Sequence, residues 1–396
     1  MERNYCTYKE IFKKETFPLA YIDMEMLDAN VKILTERANR GTIRIASKSV
    51  RSIEILKYLF RKSNKFKGIM SFTALESLFL VKQGFDDILL GYPCVDKNLI
   101  SQIADVILKN KTIVLMVDKI EHVALINAVG KEKKVQLPIC IDLDCSSDFG
   151  PIHFGVWRSS ITNNQQLQKL LNSIKKSHFV KLDGLMGYEA QIAGLGDNVK
   201  GDTIKNLMIK ILKNRSISKI RKRRTAAINL IKKNGFDLRF INGGGTGSIK
   251  ETLEEKEITE ITIGSGFYNP HLFDNYRDFQ LNPSAGFAIQ IVRNPKENYY
   301  TCHGGGYIAS GSIDKLKAPK IDLLKGARFV ANEGCGEVQT PIVYKGKEHL
   351  KIGDPVFLRH AKAGELCERF NEIYRIRNHK IIDKVTTYRG DGFAFL

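Results

Sequence analysis

The chain is short of several things at once. Its 396 residues include 10 prolines and a single tryptophan, and 43 acidic residues stand against 62 basic ones. Seven cysteines, at positions 6, 94, 140, 145, 302, 335 and 367, form no CxxC pair and no repeated zinc spacing. That excludes a disulfide-stapled miniature fold and a zinc-finger array, and it leads to the expectation of reduced thiols in a cytoplasmic protein. No apolar run approaches the ~20 residues that cross a bilayer. The opening Met1-Glu2-Arg3-Asn4-Tyr5-Cys6 lacks the apolar centre of a signal peptide, so neither secretion nor a membrane span is expected. There is no low-complexity linker and no internal repeat.

The shortage of acid leaves a formal charge of +19, an excess that attracts anions, nucleic acid or an anionic surface. Its distribution argues against a nucleic-acid partner. Basic residues are spread over nearly every predicted helix, and the densest run, Lys219-Ile220-Arg221-Lys222-Arg223-Arg224, has no aromatic side chain interleaved for base stacking. The run reads as a solvated helix face. Drawing in anionic ligands is the other use of the surplus.

What is present suits a globular enzyme. Hydrophobic residues make up 43% of the chain and charged residues 27%, enough for packed cores, and the length calls for about two domains. From residue 19 short apolar runs alternate with segments of helical periodicity: 19–23, 43–46, 68–71, 88–91, 113–117, 139–143, 184–188 and 240–242. Eight such runs predict an α/β fold, a (β/α)8 TIM-like barrel. A doubly wound sheet would place its phosphate loop after the first strand, whereas the best glycine turn here follows the last run. Beyond Ile261 to Gly266 the helical segments stop and β-type stretches with frequent glycines take over. The division read from this is an N-terminal extension (1–18), a barrel (19–269) and a mostly β C-terminal domain (270–396).

Barrel enzymes assemble their sites at the carboxyl ends of the strands. Lys48, after Ile43-Arg44-Ile45-Ala46, is there, between Ser47 and Ser49. A neutral lysine amine in a partly desolvated pocket condenses with an aldehyde. Asn242-Gly243-Gly244-Gly245-Thr246-Gly247-Ser248 has the glycines and hydroxyls that cradle a phosphate, and Gly264-Ser265-Gly266 is a candidate other half. An amine and a phosphate cradle together suggest pyridoxal phosphate. Asp142 and Asp144, two apart on one strand, share a face with Cys140. His153, near the only tryptophan, is a candidate to stack or donate at a cofactor ring, and Tyr188 ends the seventh run. His360, Glu365 and Cys367 hold the donor types of a divalent-metal site, with zinc favoured over magnesium, although their spacing matches no closed zinc motif. The structural alternatives are a lysine head emerging at the barrel rim, a glycine turn that only joins strand to helix, and a histidine packed against aromatics.

Together, Thr16-Phe17-Pro18-Leu19-Ala20-Tyr21-Ile22-Asp23, Ala46-Ser47-Lys48, Asn242 to Thr246 and the C-terminal cysteine cluster resemble the alanine racemase-like, fold-type III pyridoxal phosphate enzymes. The D-threonine aldolase and D-serine dehydratase branch is the nearest in pattern. Gly184-Leu185-Met186-Gly187-Tyr188-Glu189-Ala190-Gln191 and Arg359 to Asn371 are similar to bacterial proteins called amino acid deaminase/aldolase. The resemblance implies cofactor on Lys48, phosphate held around Gly244, Gly245 and Thr246, a homodimer, and a β-domain after the barrel. It also implies a divalent metal (Zn, Mn or Mg) on a His-x-Cys or His-x-Asp pair, but Glu365 stands where that histidine would be. The implied activity is aldol cleavage or dehydration of a D-configured β-hydroxy amino acid. An amino acid racemase is the alternative enzyme, and a non-catalytic cofactor- or nucleic-acid-binding protein the alternative outside enzymes.

Overall fold

A computed structural model describes residues 3–396. The chain forms two compact units. One comprises Leu34–Lys48, Ser63–Gly264 and the last two residues; the other comprises the residues up to Ile33, Ser49–Lys62 and Ser265–Ala394.

The first unit is a closed barrel of eight parallel strands: Thr42–Ala46, Phe66–Ser71, Ile88–Leu90, Ile113–Val117, Leu137–Asp142, Val180–Gly187, Phe240–Gly243 and Glu260–Ile263. The ring closes where Glu260 pairs with Thr42 and Ile263 with Ile45. The strands read as near-continuous buried runs, as expected when one face meets the interior and the other a layer of helices. Leu89, Val114, Met116, Cys140, Met186 and Phe240 form one buried apolar cluster. Crossover helices start at side-chain caps that take up a leading amide: Thr73 accepts from Glu76 N–H, Asp96 from Asn98 and Leu99, and Asn163 from Gln166. In Lys97–Ile107 the buried residues are Ile100, Ile103 and Ala104, one face at helical spacing.

The fold class is the one expected, but one strand is exchanged. Leu19–Asp23 is not in the barrel. It pairs antiparallel with Ala285–Lys296 and parallel with Glu372–Arg377 inside a nine-stranded sheet of the second unit. Glu260–Ile263 closes the barrel in its place. A five-residue apolar run that is buried throughout fits any central strand, so its pattern does not say which sheet takes it. The glycine turn thus follows the seventh barrel strand and Gly264 follows the eighth. The second unit is mostly β after residue 284, as expected. Its core packs Tyr8, Phe12 and Tyr21 edgewise or tilted around Phe357, at centroid separations of 5.8 to 6.1 Å.

Inside the barrel a polar plug crosses the apolar layer. Arg44 is fully buried; its Nε donates to Glu260 at 2.7 Å and its Nη1 to the Asp87 carbonyl at 2.6 Å. Asn242 Nδ2 donates to the same Glu260 carboxylate at 2.8 Å and to Thr262 at 2.9 Å. A buried guanidinium persists only when paired in this way, because desolvating it alone would cost several kcal/mol.

Candidate active site

The carboxyl ends of the barrel strands bring together a lysine, a phenol, a guanidinium and a carboxylate. Lys48 sits in the single turn Ser47–Ser49 directly after Thr42–Ala46, and that turn is held because Ser47 Oγ donates to the Met70 carbonyl at 3.0 Å. The lysine side chain is exposed. Tyr92, two residues after Ile88–Leu90, is its hydrogen-bond partner, and the Lys48 charge draws the phenol below its ordinary range, with Arg158 adding to the effect. The Arg158 guanidinium lies 4.8 Å from the Tyr92 ring centroid. It donates to the Gly91 carbonyl at 2.5 Å and to Asp142 Oδ2 at 2.7 Å.

Asp142 ends its strand and is 97% buried. Burial raises its carboxyl to about 7 despite the opposing pull of Arg158. Oδ1 has no hydrogen-bond partner among the described residues, an orphaned acceptor beside a cation and a phenol. Asp144 instead ends the strand locally, accepting from Ser146 N–H at 3.0 Å and from Arg223 at 3.1 Å.

The glycine turn is shaped for close approach. Gly244 has φ +75°, a left-handed conformation that costs other L-residues about 1–2 kcal/mol. A Cβ on Gly245 would stand 2.9 Å from Ala193 Cβ and 3.4 Å from Tyr188 Cε2. Tyr188 therefore packs on the turn, and burial pushes its phenol up to about 12. Gly244 N–H is taken by Glu189 at 3.2 Å and Gly245 N–H by Ser248 Oγ at 3.1 Å. Across the turn, Arg37 donates to the Thr246 carbonyl at 3.2 Å. Asn242 belongs to the barrel plug, its amide group engaged by Glu260 and Thr262.

The remaining expected residues lie elsewhere or alone. His153 sits on the hairpin of Ser147–Phe149 and Ile152–Phe154, stacks on Trp157 at 3.8 Å, and bonds Asp148 at 2.8 Å. In the second unit, Ser265 Oγ is 3.4 Å from Ser49 Oγ. His360 is buried, which lowers its imidazole to about 3. Cys367 donates to the Val50 carbonyl at 3.4 Å, and its thiol is pushed up to about 12 by burial. Glu365 accepts from Ser310 N–H at 3.0 Å and from the Ser310 hydroxyl. Among the described residues no three His, Cys, Asp or Glu side chains are grouped as metal ligands, so these three residues form no three-ligand site, and both ring nitrogens of His360 lack a hydrogen-bond partner among those residues.

Tyr92 and Arg158 escaped the sequence reading. Tyr92 follows Leu90-Gly91 and carried a signal: it is polar and just past a strand end. Arg158 sits in an irregular segment, next to the only tryptophan, and no periodicity points to it. In the dense basic run Lys219 and Lys222 are exposed, as a solvated face requires, but Arg224 is not. Arg224 is buried and bonded to Glu255 at 2.5 Å, Arg223 to Asp144, Arg221 to Glu254 at 3.0 Å, and Lys219 to the Asp148 carbonyl at 2.6 Å. A run of like charges says nothing of the acidic residues that other segments bring to it.

The family profile of the alanine racemase N-terminal domain matches residues 22–270. The chain belongs to the alanine racemase-like family. It is 19% identical over 250 residues to a 3-hydroxy-D-aspartate aldolase of Paracoccus denitrificans (strain Pd 1222), a match spanning 63% of this chain and 59% of that protein, less than two thirds of its length. The D-threonine aldolase of Filomicrobium marinum superposes with TM-score 0.79 at 12% identity, covering 96% of both chains. D-threo-3-hydroxyaspartate dehydratase from Delftia sp. HT23 superposes with TM-score 0.76 at 14% identity, covering 94% of this chain and 98% of that one. At such identities the superpositions establish the shared fold of this alanine racemase-like chain.

Proposed function

We propose that this alanine racemase-like protein is a pyridoxal phosphate-dependent lyase for D-configured β-hydroxy amino acids, cleaving or dehydrating them. The observation that carries the reading is the convergence of Lys48, Tyr92, Arg158 and Asp142 at the strand ends of the unit that also holds the Gly243–Ser248 turn. The three relatives named above, two aldolases and a dehydratase, act on substrates of this one class. The residues fit the cofactor: an accessible amine for its aldehyde, a turn whose inner face a Cβ would fill, and a buried carboxylate oxygen still lacking a donor.

When bound, pyridoxal phosphate supplies an electron sink for negative charge at the substrate α-carbon. The chain's own groups do the rest. Lys48 Nζ binds the aldehyde and, once released, holds or moves a proton. Tyr92, hydrogen-bonded to that amine, takes or returns its proton, a role helped by a phenol below its usual range. Arg158 keeps Tyr92 in place and is itself oriented by Asp142. Glycines 243–245 and Thr246 would lie against the phosphate, the Gly244 and Gly245 amides being donated to Glu189 and Ser248. No step is routed through a metal. A homodimer is part of this reading.

Purified protein incubated with cofactor, reduced with borohydride and digested should yield a single modified peptide containing Lys48. Unreduced, cofactor-loaded enzyme offered D-serine, D-threonine or D-3-hydroxyaspartate should release ammonia and a 2-oxo acid, or an aldehyde. Loss of α-proton label without those products would favour the racemase instead. No labelling at Lys48 would remove the reading altogether.

A further inference from the structure

Directly behind the glycine turn lies a buried carboxylate that the mechanism above does not use. Glu189 follows the strand Val180–Gly187 and is 97% buried. Its four acceptor positions are all filled. Oε2 receives Gly244 N–H at 3.2 Å and Arg224 Nη2 at 2.8 Å. Oε1 receives Ser248 Oγ at 3.0 Å and the Thr252 hydroxyl. Ser248 in turn accepts Gly245 N–H. One carboxylate thus fixes, directly or through Ser248, two consecutive amides of the turn and the segment that follows it.

A carboxylate next to an anion site would repel its ligand unless neutralised. Arg224, from the Thr203–Lys233 helix, supplies a counter-charge that it shares with Glu255. Besides Glu189 it bonds Glu255 Oε1 and the Gly187 carbonyl at 2.9 Å. Gly187 leaves the space for it: a Cβ there would stand 2.9 Å from Cys145 Sγ and 3.3 Å from Arg224 Nε. The guanidinium is almost fully enclosed, where charge-assisted bonds are strong and an unpaired partner is costly.

We propose that Glu189, paired with Arg224, is a positioning residue that sets the Gly243–Ser248 turn in the conformation that accepts the cofactor's phosphate. It spends the Gly244 amide to hold the left-handed turn and leaves the opposite face to the ligand. The proposal rests on the reading of this turn as the phosphate cradle. It is distinct from a carboxylate that occupies the phosphate position and must be displaced, which would have the opposite effect on affinity.

The test compares dissociation constants for pyridoxal phosphate, for pyridoxal without the phosphate, and for inorganic phosphate, in the wild type and in Glu189→Gln. Borohydride labelling of wild-type Lys48 comes first, so that a failure of the cofactor reading is seen before the variant is judged. The expected result is pyridoxal phosphate and inorganic phosphate binding about ten-fold weaker, with pyridoxal changed less than two-fold. Equal weakening of both aldehydes would mean a merely structural role and would overturn the proposal. Unchanged binding, or tighter phosphate binding, would overturn it too. Should Glu189→Gln not fold, Ser248→Ala carries the test. It removes one donor to Glu189 and one acceptor of the turn without placing a bare charge in the core, and the same phosphate-selective loss is expected.

Discussion

Two regions of this chain carry similar chemistry and use it differently. At the strand ends of the barrel, Lys48, Tyr92, Arg158 and Asp142 are linked, and one of the buried oxygens still lacks a donor. In the stretch from His360 to Cys367 of the other unit, carboxylate and thiol are each engaged by a local partner, while the buried imidazole, lowered to about 3, has no hydrogen-bond partner on either nitrogen among the described residues. The lesson concerns residue types. A histidine, a glutamate and a cysteine within eight positions look more like a site than a lone lysine does, yet it is the lysine end that has an accessible nucleophile with titratable neighbours.

The sharpest way to break the comparison is Lys48→Ala. If the barrel end is the reacting centre, turnover falls on the order of 10^4-fold, the scale of losing a group on which catalysis depends, and borohydride labelling disappears. The other unit's Cys367→Ser should keep labelling at Lys48. A Lys48 variant that retained turnover would shift the chemistry elsewhere and erase the contrast.

Asp142 gives the next largest effect, and one with a sign. Its carboxyl is raised to about 7 in the folded chain from an ordinary 3.8. Between those values the folded protein keeps a proton that the unfolded chain has released. The wild type therefore loses stability as pH rises from about 4 to 7, by up to roughly 4 kcal/mol at about 1.4 kcal/mol for each pH unit crossed. Asp142→Asn should flatten that slope in urea unfolding measured at several pH values. Because Arg158 then loses its anion, turnover should also drop, by about ten- to a hundred-fold, and any limb of the activity profile near pH 7 should vanish.

Gly244→Ala tests the cradle. Its φ of +75° and the 3.2 Å approach to Thr252 Oγ1 predict about 1–2 kcal/mol of destabilisation. Cofactor affinity should weaken while pyridoxal without phosphate is bound nearly as before, readable by fluorescence titration and thermal unfolding.

How much of this was legible can be argued residue by residue. The barrel was, because buried parallel strands and amphipathic helices leave periods that survive in one dimension. So were the places of Lys48 and the glycine turn at strand ends, because each follows closely on its strand. The place of Leu19–Asp23 was not: strand partners are chosen by tertiary pairing, and this run meets residues 285–288 and 373–376. Arg158 was not, since its value lies in reaching Gly91 and Asp142 across loops. Nor was the fate of Arg224, which looked solvated amid Lys222 and Arg223 until Glu189 and Glu255 were seen to enclose it. Sequence shows what a residue can do; the fold decides which partners let it.

The smallest effect is expected where the spacing of residues promised a metal. Glu365 is held by Ser310, Cys367 faces the Val50 carbonyl, and a fully buried imidazole lowered to about 3 lacks a carboxylate or thiolate neighbour completing a ligand group. A divalent ion needs several donors turned toward it at once, and the Cys367 thiol is turned to the Val50 carbonyl. Exhaustive chelation, followed by re-addition of zinc, manganese or magnesium, should therefore change turnover less than about two-fold, against the 10- to 100-fold typical of disturbing a working metal site. Elemental analysis of the purified protein should find well under one metal per chain. A stoichiometric metal whose removal silenced turnover would make the two regions partners in one reaction, and the contrast between them would fall.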